Sequence, residues 1–366
     1  MKLVSNYKKD NPILKSHPGS YNWWYFDGSD LRGEYQFVII FYEGCPFSTK
    51  YIRSFEKYPD HINSKAESHP AVSISVYKNG KTIFYSLSEY SPTEVEFNRD
   101  KISVRIGKNT LEGFVENEQL TYALRMDEIL PNGDKFSALL RFISPLTTES
   151  LWKENKENNI PENHIWNLVQ PRAHVKGVVS VSQKNRHEKP IIFEGTGYHD
   201  HNLGTEPLKN SFRDWYWGRV HFGDLTLVYY FMNQSGKEDF KAWLITADNK
   251  SIVEEATSIV VDGLKSNPFL LASARRINID FKSYSIHILA DETLDSGPFY
   301  MRFKCSAEML NKSSKNVELS IGIGEYIKPS RIHRRLFWPL VNMRYRYAYE
   351  KPHWVQKSRQ LYRLTW

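Results

Sequence analysis

The residues best suited to chemistry lie at 194–204, Glu-Gly-Thr-Gly-Tyr-His-Asp-His-Asn-Leu-Gly, directly after the apolar run Pro-Ile-Ile-Phe. Tyr198, His199, Asp200, His201 and Asn202 bring a phenol, two imidazoles, a carboxyl and an amide into five consecutive positions. In a strand, residues i and i+2 point to one face. Tyr198 and Asp200 then share one face, and His199 and His201 share the other. A second segment, His164-Ile165-Trp166, likewise puts an imidazole and an indole on one face. If the two segments are neighbouring strands, an acid, an imidazole, an indole and a phenol converge in one cavity. Three readings compete for this cluster. His199, His201 and His164 could chelate a metal, but strand parity sets His164 against the face of the other two, and a metal needs a third and a fourth ligand. Asp200 and Asn202 could cap turns while the histidines satisfy backbone groups. The third reading is an acid–base site.

Other stretches supply aromatic walls. Residues 21–30, YNWWYFDGSD, send aromatics to both sides of a first strand; core packing suits Trp24 and Phe26, and Trp24 is also a candidate substrate contact. In RDWYWGR (213–219), Trp215 and Trp217 share a face that continues to Arg219, with Tyr216 opposite. Trp215 and Trp217, together with His199 and Asn202, complete the substrate-binding candidates. Arg219 suits either an acidic group or an interdomain salt bridge. The segment IGIGE (321–325) lacks the strand–helix setting of a nucleotide loop.

Positioning these groups falls to strands. Period-2 patterns recur at 33–43, 71–87, 120–142, 214–233, 240–247, 276–290 and 299–308, with Asn-Gly hairpin signals in KNGK and PNGD. Helical patterning is scarce, with one short amphipathic candidate at 148–158. Many short strands at regular spacing imply sandwiches or barrels. A break near 203–212 divides the 366 residues into two barrel-like halves, 1–203 and 204–366. The expected fold is all-β.

Composition narrows the function classes. The 22 Tyr, 20 Phe and 10 Trp suit strands, and they suit cavities that orient large apolar ligands. A net charge of +7 without a zinc finger, RNP motif or basic helix argues against a specific nucleic-acid reader. Cys45 and Cys305 are too few for a disulfide framework and fit reduced thiols in a cytoplasmic protein. The N-terminal residues show no signal peptide, and no run of 18 apolar residues forms a membrane span. The 331–354 segment mixes arginines with Phe, Trp, Leu and Tyr. It suits peripheral contact with an anionic bilayer, or alternatively the closing strand and helix of the second domain.

Taken together, NWWYFDG near the start, His-x-Trp at 164–166, GYHDHN at 197–202 and WYWGR at 215–219 resemble the carotenoid 1,2-hydratase (hydroxyneurosporene synthase) family. Its lipocalin-like relatives include tocopherol cyclase-like proteins and pericyclases. The resemblance covers most of the chain up to about residue 330. It implies two tandem lipocalin-like antiparallel β-barrel domains with few helices, no cofactor and an apolar isoprenoid-like substrate. By that resemblance the functional pairs are His164 with Trp166 and Tyr198 with Asp200. Leu203 departs from the family, whose members often carry an aromatic residue there, and SQKNRHEKP (182–190) is a local extension.

Such a site would protonate an unactivated C=C bond. The donor must be a carboxylic acid kept neutral by burial, since an exposed Asp with a pKa of about 3.9 is ionised at neutral pH. Asp200 is the expected acid, Tyr198 its orienting donor, and His164 the base towards water or the group that re-protonates the acid. Trp166 would stabilise the carbocation. The expected activity is hydration or cyclisation. A pericyclase folding a polyene without proton transfer and a non-catalytic apolar carrier are the alternatives.

Overall fold

The computed structural model describes residues 1–13, 17–147, 149–152, 163–183, 186–187, 189–234 and 237–365. The helix expected at 148–158 lies almost wholly outside the described residues. The chain forms two compact units. The first contains Met1–Leu208 and Arg335–Thr365, the second Lys209–Arg334.

In the first unit the strands are β1 (Lys2–Val4), β2 (Tyr21–Asp30), β3 (Tyr35–Glu43), β4 (Ala71–Lys78) and β5 (Lys81–Glu89). They continue as β6 (Val95–Asn98), β7 (Ser103–Ile106), β8 (Asn109–Glu116), β9 (Gln119–Ile129) and β10 (Lys135–Pro145). The series closes with β11 (His164–Gln183), β12 (Arg186–His187) and β13 (Ile191–Gly204). One curled half-barrel sheet runs β5-β4-β3-β2-β13-β11-β10-β9-β8-β7-β6, its long strands all antiparallel. The expected all-β fold is therefore present.

The alternation that predicted strands is the alternation of burial. Along β10, Phe136, Ala138, Leu140 and Phe142 point into the core while Lys135, Ser137, Leu139 and Arg141 face solvent. Both expected hairpins form, with different turns. Asn79 and Gly80 each take positive φ, 48° and 73°, the two-residue turn that matches strand twist. In PNGD only Gly133 does so (φ 87°), and the loop closes through Gly133 N–H to Leu130 O and Leu130 N–H to Asp134 O. β13 behaves differently from β10. Its first half alternates, but no residue from Gly195 to Gly204 is exposed, because both faces are covered. Clasped between β2 and β11, this strand presents side chains to two separate interiors.

One of those interiors is the apolar core, which holds Trp24, Phe26, Phe41, Ile74, Tyr122 and Phe142. Trp24 and Phe26 have no exposed surface, and burying such a ring is worth about 1.5–3 kcal/mol.

The C-terminal segment corrects the expected division. The short strand Arg346–Tyr347 pairs in parallel with the edge strand β5, so residues 335–365 belong to the first unit rather than closing the second. The physical reason is an open sheet edge and two buried carboxylates. Glu89 accepts hydrogen bonds from the Tyr345 and Tyr349 hydroxyls, each 2.8 Å, and Glu128 accepts from Arg346 Nη1 at 2.8 Å.

In the second unit a smaller antiparallel sheet is built around Asp214–His221, Leu225–Gln234 and Val317–Ile327. Tyr216, Leu244, Ile286, Phe303 and Tyr326 pack in its core. A turn at Phe222-Gly223-Asp224 joins the first two of these strands.

Candidate functional site

β11 and β13 are adjacent, with Trp166 level with Asn202 and Leu168 level with Asp200. On the other side of β13, Trp23, Tyr25 and Asp27 of β2 stand level with Asn202, Asp200 and Tyr198. Three neighbouring strands thus contribute one continuous face: His164 and Trp166, then Tyr198, Asp200 and Asn202, then Tyr21, Trp23, Tyr25 and Asp27.

The focus of that face is the Asp200 carboxyl, 4 % exposed. Its Oδ2 accepts from Trp166 Nε1–H at 2.7 Å and from the Tyr198 hydroxyl at 2.6 Å; its Oδ1 accepts from Asn202 Nδ2 at 2.9 Å. An indole N–H can only donate. Tyr198 is held as a neutral phenol, because burial and then the neighbouring Asp200 push its pKa well above the ordinary value. Oδ2 therefore has two fixed donors. Asn202 is different: a half-turn of its amide exchanges the donating nitrogen for the accepting oxygen. A proton on this carboxyl belongs on Oδ1.

His164 does not touch Asp200 through its own strand level. It stands level with Gly204, four residues along β13, which is roughly 13 Å of strand. Its Nδ1 meets the Tyr21 hydroxyl at 2.8 Å, and its ring lies 5.9 Å from those of Tyr21 and Trp23. Gly204 makes room for this arrangement: a Cβ there would lie 2.0 Å from Tyr21 Cζ.

Two expected substrate contacts sit elsewhere. His199 and Trp24 point to the opposite face, into the core, because they have the other strand parity from Asp200 and Tyr25. His199 donates from Nδ1 to the Tyr25 carbonyl at 3.0 Å and from Nε2 to Asp10 Oδ2 at 3.0 Å. His201 Nδ1 lies 3.2 Å from Asp10 Oδ1, and Trp24 stacks on His201 at 4.4 Å. The Tyr122 hydroxyl donates to Asp10 Oδ2 at 2.5 Å. Burial would raise the Asp10 pKa, but the two imidazoles outweigh it and hold the carboxyl at about 2. The two histidines are thus occupied by an ion-paired carboxylate at hydrogen-bonding distance. Among the described residues no group of three such side chains is arranged to hold a metal. Trp215 and Trp217 lie in the second unit, on the face of Asp214–His221 away from that unit's core, where Trp217 stands level with Glu325.

Sequence reasoning missed Asp10, Asp27 and Tyr21. Asp27 is 1 % exposed and level with Tyr198, whose phenol its charge helps to keep neutral. It was legible as the sixth residue of NWWYFDG, on the parity of Tyr25.

Residues 39–351 match the carotenoid hydratase CrtC family. The chain belongs to that family. It is 26 % identical over 334 residues to hydroxyneurosporene dehydrogenase of Chlorobaculum tepidum, covering 87 % of this chain and 85 % of the relative. It is 24 % identical over 315 residues to the acyclic carotenoid 1,2-hydratase of Rubrivivax gelatinosus, covering 83 % and 68 %. Among solved structures it is similar to CghA with Sch210972 (TM-score 0.59, 13 % identity, covering 87 % and 94 %), a likeness of fold. Family membership makes the carotenoid hydratase-like chain an enzyme of hydro-lyase type acting on an apolar small molecule. No helix among the described residues is long and apolar enough to cross a membrane.

Proposed function

We propose that this enzyme adds water across an isoprenoid C=C bond, with Asp200 as the general acid. The observation that carries the reading is the buried Asp200 carboxyl with two fixed donors on Oδ2 and a reversible amide at Oδ1. Burial opposes ionisation; three donors favour it. With the Asn202 amide turned, a neutral carboxyl keeps every partner: its carbonyl oxygen accepts from Trp166 and Tyr198, and its Oδ1–H donates. When that O–H turns from Asn202, its proton can pass to an alkene carbon placed above Oδ1.

Transfer of the proton forms a C–H bond and leaves a tertiary cation on the adjacent carbon. The Trp166 ring, fixed by its own hydrogen bond, offers a π-face worth about 0.5–2 kcal/mol to that cation. Water then adds its oxygen to the cation and releases a proton, which restores the carboxyl, so the net change is addition of one water. His164, held by Tyr21, serves bound water or substrate at the far end of the face rather than the Asp200 carboxyl itself. The same first step followed by capture from an internal nucleophile would close a ring, and the product distinguishes the two.

The test is incubation of the enzyme with an acyclic carotene in detergent micelles in heavy water. The expected product is a tertiary alcohol carrying one deuterium on the carbon next to the carbinol. A rearranged product without deuterium would indicate pericyclic chemistry, and a substrate recovered unaltered would indicate a carrier; either result overturns the proposal.

A further inference from the structure

The chain's positive charge is concentrated in one place. Of 49 Lys and Arg and 42 Asp and Glu, residues 335–366 hold seven and one, so this short segment carries +6 of the net +7 and the remaining chain +1. Its single acid, Glu350, is paired with Lys50. Of its cations, Arg346 pairs with Glu128, Arg359 with Asp134, and Arg344 is buried over the Tyr85 ring. Arg335, Lys351, Lys357 and Arg363 are exposed and make no ion pair among the described residues.

Apolar side chains stand among them. The segment folds as short helical turns packed on one another: Arg335–Phe337, Trp338–Arg344, Trp354–Lys357 and Arg359–Arg363. Each turn seats some residues inward, such as Trp338, Val341, Val355 and Tyr362. The aromatic residues expected to meet a bilayer are thus partly used for packing: Trp338 and Tyr345 are buried. In their place Trp354 is 63 % exposed, Leu361 39 %, Leu364 80 % and Leu336 84 %. Leu361 of the last helix and Leu364, its C-cap three residues on, are neighbours on one side of that helical turn. The helix packs against the turn that carries Trp354.

We propose that this C-terminal cluster is a docking surface for an anionic lipid bilayer. Charge complementarity selects the partner: unpaired cations attract the anionic headgroups, Trp354 suits the headgroup level, and Leu336, Leu361 and Leu364 enter the acyl boundary. The surface does not involve Asp200 or its neighbours, so it stands whether or not the hydratase reading holds.

Co-sedimentation of the full chain with vesicles tests it. Binding is expected to phosphatidylcholine vesicles containing phosphatidylglycerol, to weaken as salt rises, and to be far weaker to phosphatidylcholine alone. Each neutralised cation should weaken partitioning about five-fold, so Lys357→Gln with Arg363→Gln should lose about 25-fold. Trp354→Ser with Leu361→Ser should weaken it independently, with the melting temperature of both variants unchanged. Absence of binding to the anionic vesicles, or binding that survives both double variants, overturns the proposal. So does a wild-type dimer that Trp354→Ser with Leu361→Ser converts to monomer, since the face would then be an interface between two copies of this chain.

Discussion

Replacing Asp200 by asparagine separates acid chemistry from cavity shape. Asparagine keeps the size of the side chain, and its carbonyl oxygen can accept from Trp166 and Tyr198 as Oδ2 does. Its amide nitrogen then faces Asn202, which turns to present its own oxygen. All buried groups stay paired, so the stability change should remain within about 1 kcal/mol. The acidic proton is gone, and general acid catalysis of this kind contributes about 10²–10⁴-fold. We expect hydration of an acyclic carotene to fall by at least about 100-fold, with the melting temperature nearly unchanged. Asp200→Ala is the contrasting case. It leaves the Trp166, Tyr198 and Asn202 donors without their acceptor, at about 1–3 kcal/mol each, and should lower the melting temperature as well as abolish turnover. The assay is product alcohol by chromatography and mass spectrometry, beside a thermal melt of each variant. An Asp200→Asn enzyme that turns over at close to the wild-type rate would refute the acid role outright.

Three further outcomes follow from neighbouring residues. Asp27→Asn removes a carboxylate whose charge helps to hold the Tyr198 phenol neutral, so the ultraviolet titration of Tyr198 should move to lower pH while KM holds. Asp10 titrates at about 2 in the folded chain against 3.8 for the ordinary carboxyl, so its ionisation stabilises the fold above pH about 4, and that stabilisation is lost as pH falls towards 2. The difference amounts to about 2 kcal/mol, and denaturant melts of Asp10→Asn should lack that acid-range slope while showing lower stability at neutral pH. Gly204→Ala drives a methyl group into the Tyr21 ring. It should cost about 1–3 kcal/mol and release the Tyr21–His164 hydrogen bond, read as a lower melting temperature together with a fall in turnover.

Strand parity makes much of this legible in the sequence alone. His164 with Trp166 and Tyr198 with Asp200 could be placed on faces from their spacing, and one assumption, that the two strands are neighbours, was enough to bring the indole and the phenol to the carboxyl. Parity also held the information that His199 faces away from Asp200; naming it a substrate contact set aside the alternation that placed the others. Trp24 failed for the same reason, since it shares the parity of Phe26 and not that of Tyr25. Asp10 was out of reach. It lies in irregular chain, 189 positions from His199, and no local pattern marks it as the partner of two histidines. The C-terminal turn back to the first unit was equally hidden, because it answers a need of β5, the partnering of its edge and of Glu89, that only the assembled sheet creates.

The two faces of β13 depend on each other. In a strand, a slip of one residue exchanges every side chain between faces. Such a slip here would bring His199 and His201 to the Trp166 side and drive Asp200 into a core of Trp24, Phe26 and Phe142. Over Gly195–Gly204 apolar patterning cannot prevent it, because both faces of that stretch are buried and the usual contrast between core and solvent is missing. Asp10 supplies the missing contrast. Its ionised carboxyl, held between two imidazoles and the Tyr122 hydroxyl, fits only one parity, and leaving it unpaired in the interior would cost about 3–5 kcal/mol. A buried ion pair is weak ground for net stability, but a charge that can be satisfied in one register alone discriminates strongly between registers. The histidines that first suggested a metal thus fix, from behind the sheet, which way Asp200 points.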